Sequence, residues 1–198
     1  MVEHAVPEVE VAGNGFTVDD WLAWDGVGDL RVELIDGTYV VNPAPVPRHQ
    51  RVVNRLLASL AVPLEEASLT AEISGGGVVL PGADPAHGLI PDVMAVRSDV
   101  DIDELSVLDA GEVVLAVEVL SRSSRRRDLA DKLRIYAEMG IPHYWIVDPS
   151  APVTVTTHVL DDGAYRRAAS ASGDEPLVVR EPLKVTLTPS ALARKREA

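Results

Sequence analysis

A carboxylate inside an apolar run is the first residue that calls for chemistry. Glu118 lies in residues 113–120 (VVLAVEVL), between Val117 and Val119. Burying an unpaired carboxylate is very costly, so such a glutamate must be protonated, paired or bound to a metal. A buried ion pair or a strand-end position would account for it structurally. Asp92 opens the apolar part of residues 90–96 (IPDVMAV). Pro91 favours a strand start or edge there, and Asp92 alone reads as a turn or cap residue. Considered with Glu118 it gains another role, because two carboxylates on neighbouring strands can share a divalent cation. Mg²⁺ prefers oxygen ligands and often takes only one or two protein carboxylates, keeping water elsewhere.

Lys132 is the next charge out of place. On a helical wheel of about 100° per residue, Lys132 and Asp128 fall within the apolar arc of Leu129, Leu133, Ile135, Tyr136 and Met139. Arg127, Asp131, Arg134 and Glu138 share the opposite face. Lys132 is therefore aimed inward, either as an i,i+4 partner of Asp128 whose stem covers apolar surface, or toward a site. His49 sits in the middle of the apolar face formed by Val52, Val53, Leu56 and Leu60. It is either a satisfied core histidine or a catalytic or substrate-contacting one. Glu33, flanked by Val32 and Leu34, reads by alternation as solvated. Arg122, Arg125, Arg126 and Arg127 surround a helix start. Helix N-termini attract anions, so these arginines are a phosphate-binding patch or a solvated charge run.

The elements that must position these groups follow from pattern. Residues 1–15 read as a loose tail. Residues 17–24 read as a short helix capped by Thr17, with Asp19 and Asp20 in its first turn. Strands at 31–35 and 38–41 flank an Asp36-Gly37 hairpin turn. Pro47 can open a helix that covers 48–61. Strands follow at 69–73, 77–80 and 90–96, and 98–111 reads as an acidic loop. The continuous apolar run at 113–120 predicts a central strand buried on both faces. A single helix then runs from a cap at Ser123 or Ser124 to Gly140, with Pro142 beyond it. A strand at 143–148, short antiparallel strands over 153–186 with an Asp162-Gly163 turn, and a helix near 189–196 complete a mixed α/β domain with one central sheet.

Composition narrows the possibilities. The chain has 198 residues, 46% hydrophobic and 25% charged, which is one globular domain's worth. It has no cysteine, which excludes disulfides, thiolate metal sites and thiol catalysis. Lys and Arg number 18 against 31 Asp and Glu, for a net charge of −13. A general electrostatic grip on nucleic acid or an anionic membrane is disfavoured, so any polyanion binding needs a local patch. No apolar run is long enough to span a bilayer, and the acidic N-terminus does not read as a secretory signal. These features point to a cytoplasmic protein. Trp21, Trp24 and Trp145 are candidates for the core or for a homodimer interface.

Three segments, VELIDGTYVVNPAPVPRHQRVVNRL, IPDVMAV and VVLAVEVLSRSSRRRDLADKLRIYAEMGIPHYWIVDP, together resemble the Uma-type family of candidate restriction endonucleases, a bacterial domain of unknown function within the PD-(D/E)XK nuclease superfamily. The likeness spans about residues 16–190. It implies a restriction-endonuclease-like fold, a mixed central sheet flanked by helices, with additional antiparallel strands on the C-terminal side. It makes Asp92 the acid of the PD element and Glu118 the second acid. The superfamily places a lysine two residues after that acid. Here Leu120 stands there, and Lys132 matches a lysine displaced to the following helix. Glu33 and His49 match further family positions, Glu33 as an extra metal-site acid. The resemblance implies Mg²⁺ (or Mn²⁺) held by Asp92, Glu118 and the Val119 carbonyl, and DNA as substrate. The alternatives are an inactive nucleic-acid-binding module of the same fold and a phosphodiesterase acting on RNA or a small molecule.

Overall fold

The computed structural model describes residues 9–10, 15–24, 31–73, 76–102, 105, 107–122 and 124–194. Most of the expected N-terminal tail, Ser123 and residues 195–196 lie outside them. The elements in chain order are β1 (Val9–Glu10), α1 (Val18–Leu22), β2 (Arg31–Ile35), β3 (Thr38–Asn42), α2 (Pro47–Glu66), β4 (Leu69–Ile73), β5 (Gly77–Val79), β6 (Gly88–Leu89), β7 (Val93–Arg97) and β8 (Val107–Asp109). A 3₁₀ turn (Ala110–Glu112) leads into β9 (Val113–Val119), α3 (Arg125–Leu129), α4 (Asp131–Glu138) and β10 (His143–Asp148). The chain closes with β11 (Thr154–Asp161), β12 (Ala164–Ser172), β13 (Leu177–Val179), β14 (Val185–Leu187) and α5 (Pro189–Ala193).

Among the described residues the strands form two six-stranded sheets and a two-stranded one, in place of a single sheet. One sheet has the order β1-β3-β2-β6-β5-β8, the other β12-β11-β10-β9-β7-β4, and β13 pairs with β14. The second sheet is mixed: β10 runs parallel to β9, while β7 and β11 run antiparallel to their neighbours. Helix α2 packs Val52, Val53, Leu56, Leu60 and Leu64 against one face of it, where Val93, Leu115, Val117 and Trp145 lie. Helix α4 packs Ile135, Tyr136 and its cap residue Met139 with Met94, Ala116, Tyr144 and Ile146 of the other face. Both faces of β9 are thereby covered, which explains its nearly unbroken apolar run. Among the described residues no helix is long and apolar enough to cross a membrane.

Local signals set several ends. Thr17 and Asp20 form a reciprocal capping box at α1. Both residues of Asp36-Gly37 and of Asp162-Gly163 have positive φ, as two-residue hairpin turns require. Pro47 occupies the first turn of α2, which runs five residues beyond the expected end and carries Pro63 inside it. The stretch expected as an acidic loop holds β8, drawn into pairing by β5 alongside it. The strands after β10 include a long hairpin, β11–β12, with only β13 and β14 short.

The helix expected over 124–139 is two helices that break at Ala130, whose φ and ψ are −130° and −65°. The break turns Leu129 outward, 46% exposed, while Asp128 and Lys132 both remain buried. Ser124 stands at the start of α3 without a side-chain cap bond, and its hydroxyl accepts from the Ser121 N–H and hydroxyl.

Trp21 and Trp145 are buried, and Trp24 is half exposed against Tyr39. The Trp21 indole donates to the Val32 carbonyl at 2.8 Å and lies against Gly77 and Gly88. A Cβ at Gly88 would lie 2.5 Å from Trp21 Cε3. Gly88→Ala is expected to cost about 1–3 kcal/mol through overpacking, read as a lower denaturant midpoint. An unchanged midpoint would refute this seating of Trp21.

Candidate active site

The two sheets meet at a cavity of about 430 Å³. Its floor is polar although buried. Glu118 comes from β9, Asp92 from the residue before β7, Glu33 and Arg31 from β2, Lys132 from α4 and His49 from the first turn of α2. Five of these six residues were singled out in the sequence, and all six line this cavity.

Asp92 has three hydrogen-bond partners among the described residues. Its Oδ1 accepts from Arg31 Nη1 at 2.8 Å. Its Oδ2 accepts from the Val119 backbone N–H at 2.8 Å and lies 3.0 Å from His49 Nε2. An ionised carboxylate only accepts, so Nε2 carries the shared proton. Burial opposes ionisation of Asp92, but the His49 hydrogen bond and the Arg31 charge outweigh it and hold its pKa below the ordinary range.

Lys132 ties the other acids together. Its Nζ donates to Glu118 Oε1 at 2.7 Å and to Glu33 Oε1 at 2.8 Å. The expected Asp128 partner is also present, as an ion pair at 3.6 Å. Glu33 is 1% exposed, contrary to its solvated reading: α4 places Lys132 on the face that alternation assigns to water. It also accepts from Asn42 Nδ2 and the Ile90 N–H. Burial would raise the Glu33 pKa, but Lys132 and Arg31 lower it on balance. Glu118 receives a second hydrogen bond on Oε1, from the Tyr136 hydroxyl at 2.8 Å. Burial nevertheless pushes its pKa up to about 8, and Asp128, also buried, up to about 6.

An excess of negative charge adds to the cost of burial. Among the described residues, Glu33, Asp92, Glu118 and Asp128 have Arg31 and Lys132 as their buried cations, both held protonated by these acids despite burial. The floor lacks two positive charges for full ionisation. No three His, Asp or Glu side chains among the described residues form a ready-made metal cage. The donor set still suits a hard divalent cation that takes few carboxylates. Asp92 Oδ1 accepts one hydrogen bond, and Glu118 Oε2 accepts none among the described residues.

The arginine patch is only partly at the cavity. Arg122 and Arg125 line it, and Arg125 is paired with Asp148 at 2.6 Å. Arg126 is exposed and does not line it. Arg127 reaches Asn42 at 3.3 Å, behind Glu33. Arg48 at the start of α2 also lines the cavity and donates to the Pro149 carbonyl, next to the Asp148 partner of Arg125. Sequence reasoning missed Arg31, Arg48, Asn42 and Tyr136. Arg31 could have been noticed as a charge at the start of a half-apolar strand; the other three carry no local signal.

The fold is a mixed α/β one, with buried acids and a lysine at the cavity beside its mixed sheet. The structure is similar to one from Anabaena variabilis described as a "putative nuclease belonging to DUF820", with a TM-score of 0.64, 16% identity, and coverage of 90% of this chain and 91% of that one. At that identity the likeness concerns fold alone. The chain belongs to the Uma2 family, described as "Putative restriction endonuclease", whose profile matches residues 18–192. No curated protein matches it.

Proposed function

We propose that this protein is a metal-dependent endonuclease that hydrolyses phosphodiester bonds of DNA. The observation that carries the reading is the buried floor of four carboxylates against two cations, opening onto a cavity that Arg48, Arg122 and Arg125 also line. Asp92, Glu118 and the Val119 carbonyl would hold Mg²⁺ or Mn²⁺. When bound, such an ion polarises a phosphoryl oxygen and lowers the pKa of its water. Lys132 keeps Glu118 in place and supplies positive charge where the transition state gains negative charge. His49, oriented by Asp92, contacts the phosphate or the leaving group. Arg122 and Arg125 hold the nucleic-acid backbone without reading sequence. Such a grip is local, because the chain as a whole carries a net charge of −13.

The test is cleavage of supercoiled plasmid, linear duplex and single-stranded DNA with Mg²⁺, Mn²⁺ or EDTA, alongside Glu118→Gln purified identically. Metal-dependent cutting that the variant lacks is expected. Equal cutting by both proteins would identify a contaminant and overturn the reading. Leu120, at the superfamily's lysine position, favours a second reading, an inactive nucleic-acid-binding module. DNA binding without cutting would support that one.

A further inference from the structure

We propose that Arg31 is a phosphate clamp, gripping two non-bridging oxygens of the substrate phosphodiester. This rests on the nuclease reading and extends it to a residue given no role so far. Only one of the three guanidinium nitrogens of Arg31 is engaged: Nη1 donates to Asp92. Nε and Nη2 are buried and have no hydrogen-bond partner among the described residues. These two form one edge of the planar fork, the edge that presents two parallel N–H groups to a pair of oxygens. Buried N–H groups without an acceptor are rare and costly. The side chain as a whole is 22% exposed and lines the cavity; the two nitrogens themselves are closed to water, so the guanidinium must shift for an oxyanion entering there to supply the missing acceptors.

The mounting of Arg31 supports the same role. Asp92 holds Nη1 on one oxygen, and on its other oxygen it holds His49 and the β9 backbone. Nη1 is thus anchored relative to Glu118 on that strand, and the unused edge needs only to turn about that anchor to meet substrate. An anchored fork loses little freedom on binding, unlike a flexible ammonium. Arg31 also places a permanent positive charge beside acids that would otherwise repel a phosphate. Lys132 lends charge but not a two-pronged grip, because its ammonium is a single point held between Glu33 and Glu118.

The experiment measures binding of a dinucleoside monophosphate and of its methylphosphonate analogue, which lacks one non-bridging oxygen. Wild type, Arg31→Lys and Arg31→Met are titrated calorimetrically, in EDTA and in Ca²⁺. Arg31→Lys keeps a cation on Asp92 and so guards against loss of the fold, checked by circular dichroism. Wild type is expected to prefer the phosphodiester by about ten- to a hundredfold, the worth of a charge-assisted contact. Both variants are expected to bind the two probes equally and weakly. A folded Arg31→Lys that keeps the wild-type preference overturns the clamp and leaves the nuclease reading standing. A wild type that cuts plasmid but does not distinguish the probes, or does not bind them, also overturns the clamp alone. A wild type that neither binds the dinucleotide nor cuts DNA overturns both.

Discussion

Lys132→Met is expected to lower stability by about 3–5 kcal/mol, the usual cost of removing one partner from a buried ionic group. For a chain of this size that is a fall in melting temperature of about 10 °C. Methionine refills most of the volume, so the loss is chiefly electrostatic. Glu33, Glu118 and Asp128 all lose their common cation, at 2.8, 2.7 and 3.6 Å. The dependence on pH separates this from a packing defect. In wild type, Lys132 and Arg31 hold the Glu33 pKa below its ordinary value against the cost of burial. The stability this contributes is present above the unfolded value and lost as pH falls. In the variant the acids are buried with less compensation, their pKa values rise, and neutral carboxyls are cheaper to bury. The deficit is therefore expected to be largest near about pH 8 and to shrink toward about pH 5. Thermal unfolding of both proteins across that range measures it. A deficit independent of pH would show that Lys132 contributes volume and not charge.

Glu118→Gln is expected to weaken one stability trend and abolish another. In the fold, burial pushes the Glu118 pKa from 4.5 up to about 8. Between those values the folded state keeps a proton that the unfolded state has lost. Stability therefore falls as pH rises through this window when no metal is present. Asp128 adds to the slope over a narrower range, from 3.8 up to about 6. Glutamine stays neutral and can still accept from Lys132 and Tyr136. The variant should melt higher than wild type near about pH 8 in EDTA. Divalent metal should do the opposite. Holding a cation requires the ionised carboxylate, so in wild type the stabilisation by Mg²⁺ or Mn²⁺ should grow with pH. At a metal concentration a hundredfold above Kd it amounts to about 2.7 kcal/mol, or roughly 5–10 °C. Glu118→Gln should show none of it. A variant that responds to metal as wild type does would remove Glu118 from the proposed metal site.

Two of the central groups were legible in one dimension because each breaks a pattern. Glu118 interrupts a run that only a strand covered on both faces produces. Lys132 falls on the apolar arc of a helix whose other charges keep to the far side. Alternation and helical period are local properties, so they register a misplaced charge before any partner is known. The same locality explains the hairpin turns, the Thr17 cap and the start of α2. The partners required the tertiary structure. Glu33 lies in a strand that alternation makes half solvated, and it is buried because α4 lays Lys132 across that face. Arg31, Asn42, Arg48 and Tyr136 gain their roles from contacts with residues distant in sequence. The division of the strands into two sheets, and the cavity at their junction, rest on pairings between distant segments that no local pattern specifies. The break at Ala130 also lies outside local pattern, since a continuous wheel serves Asp128 and Lys132 equally well and misplaces only Leu129. Pattern marked which charges could not be solvent-facing; long-range packing decided which of them share one site.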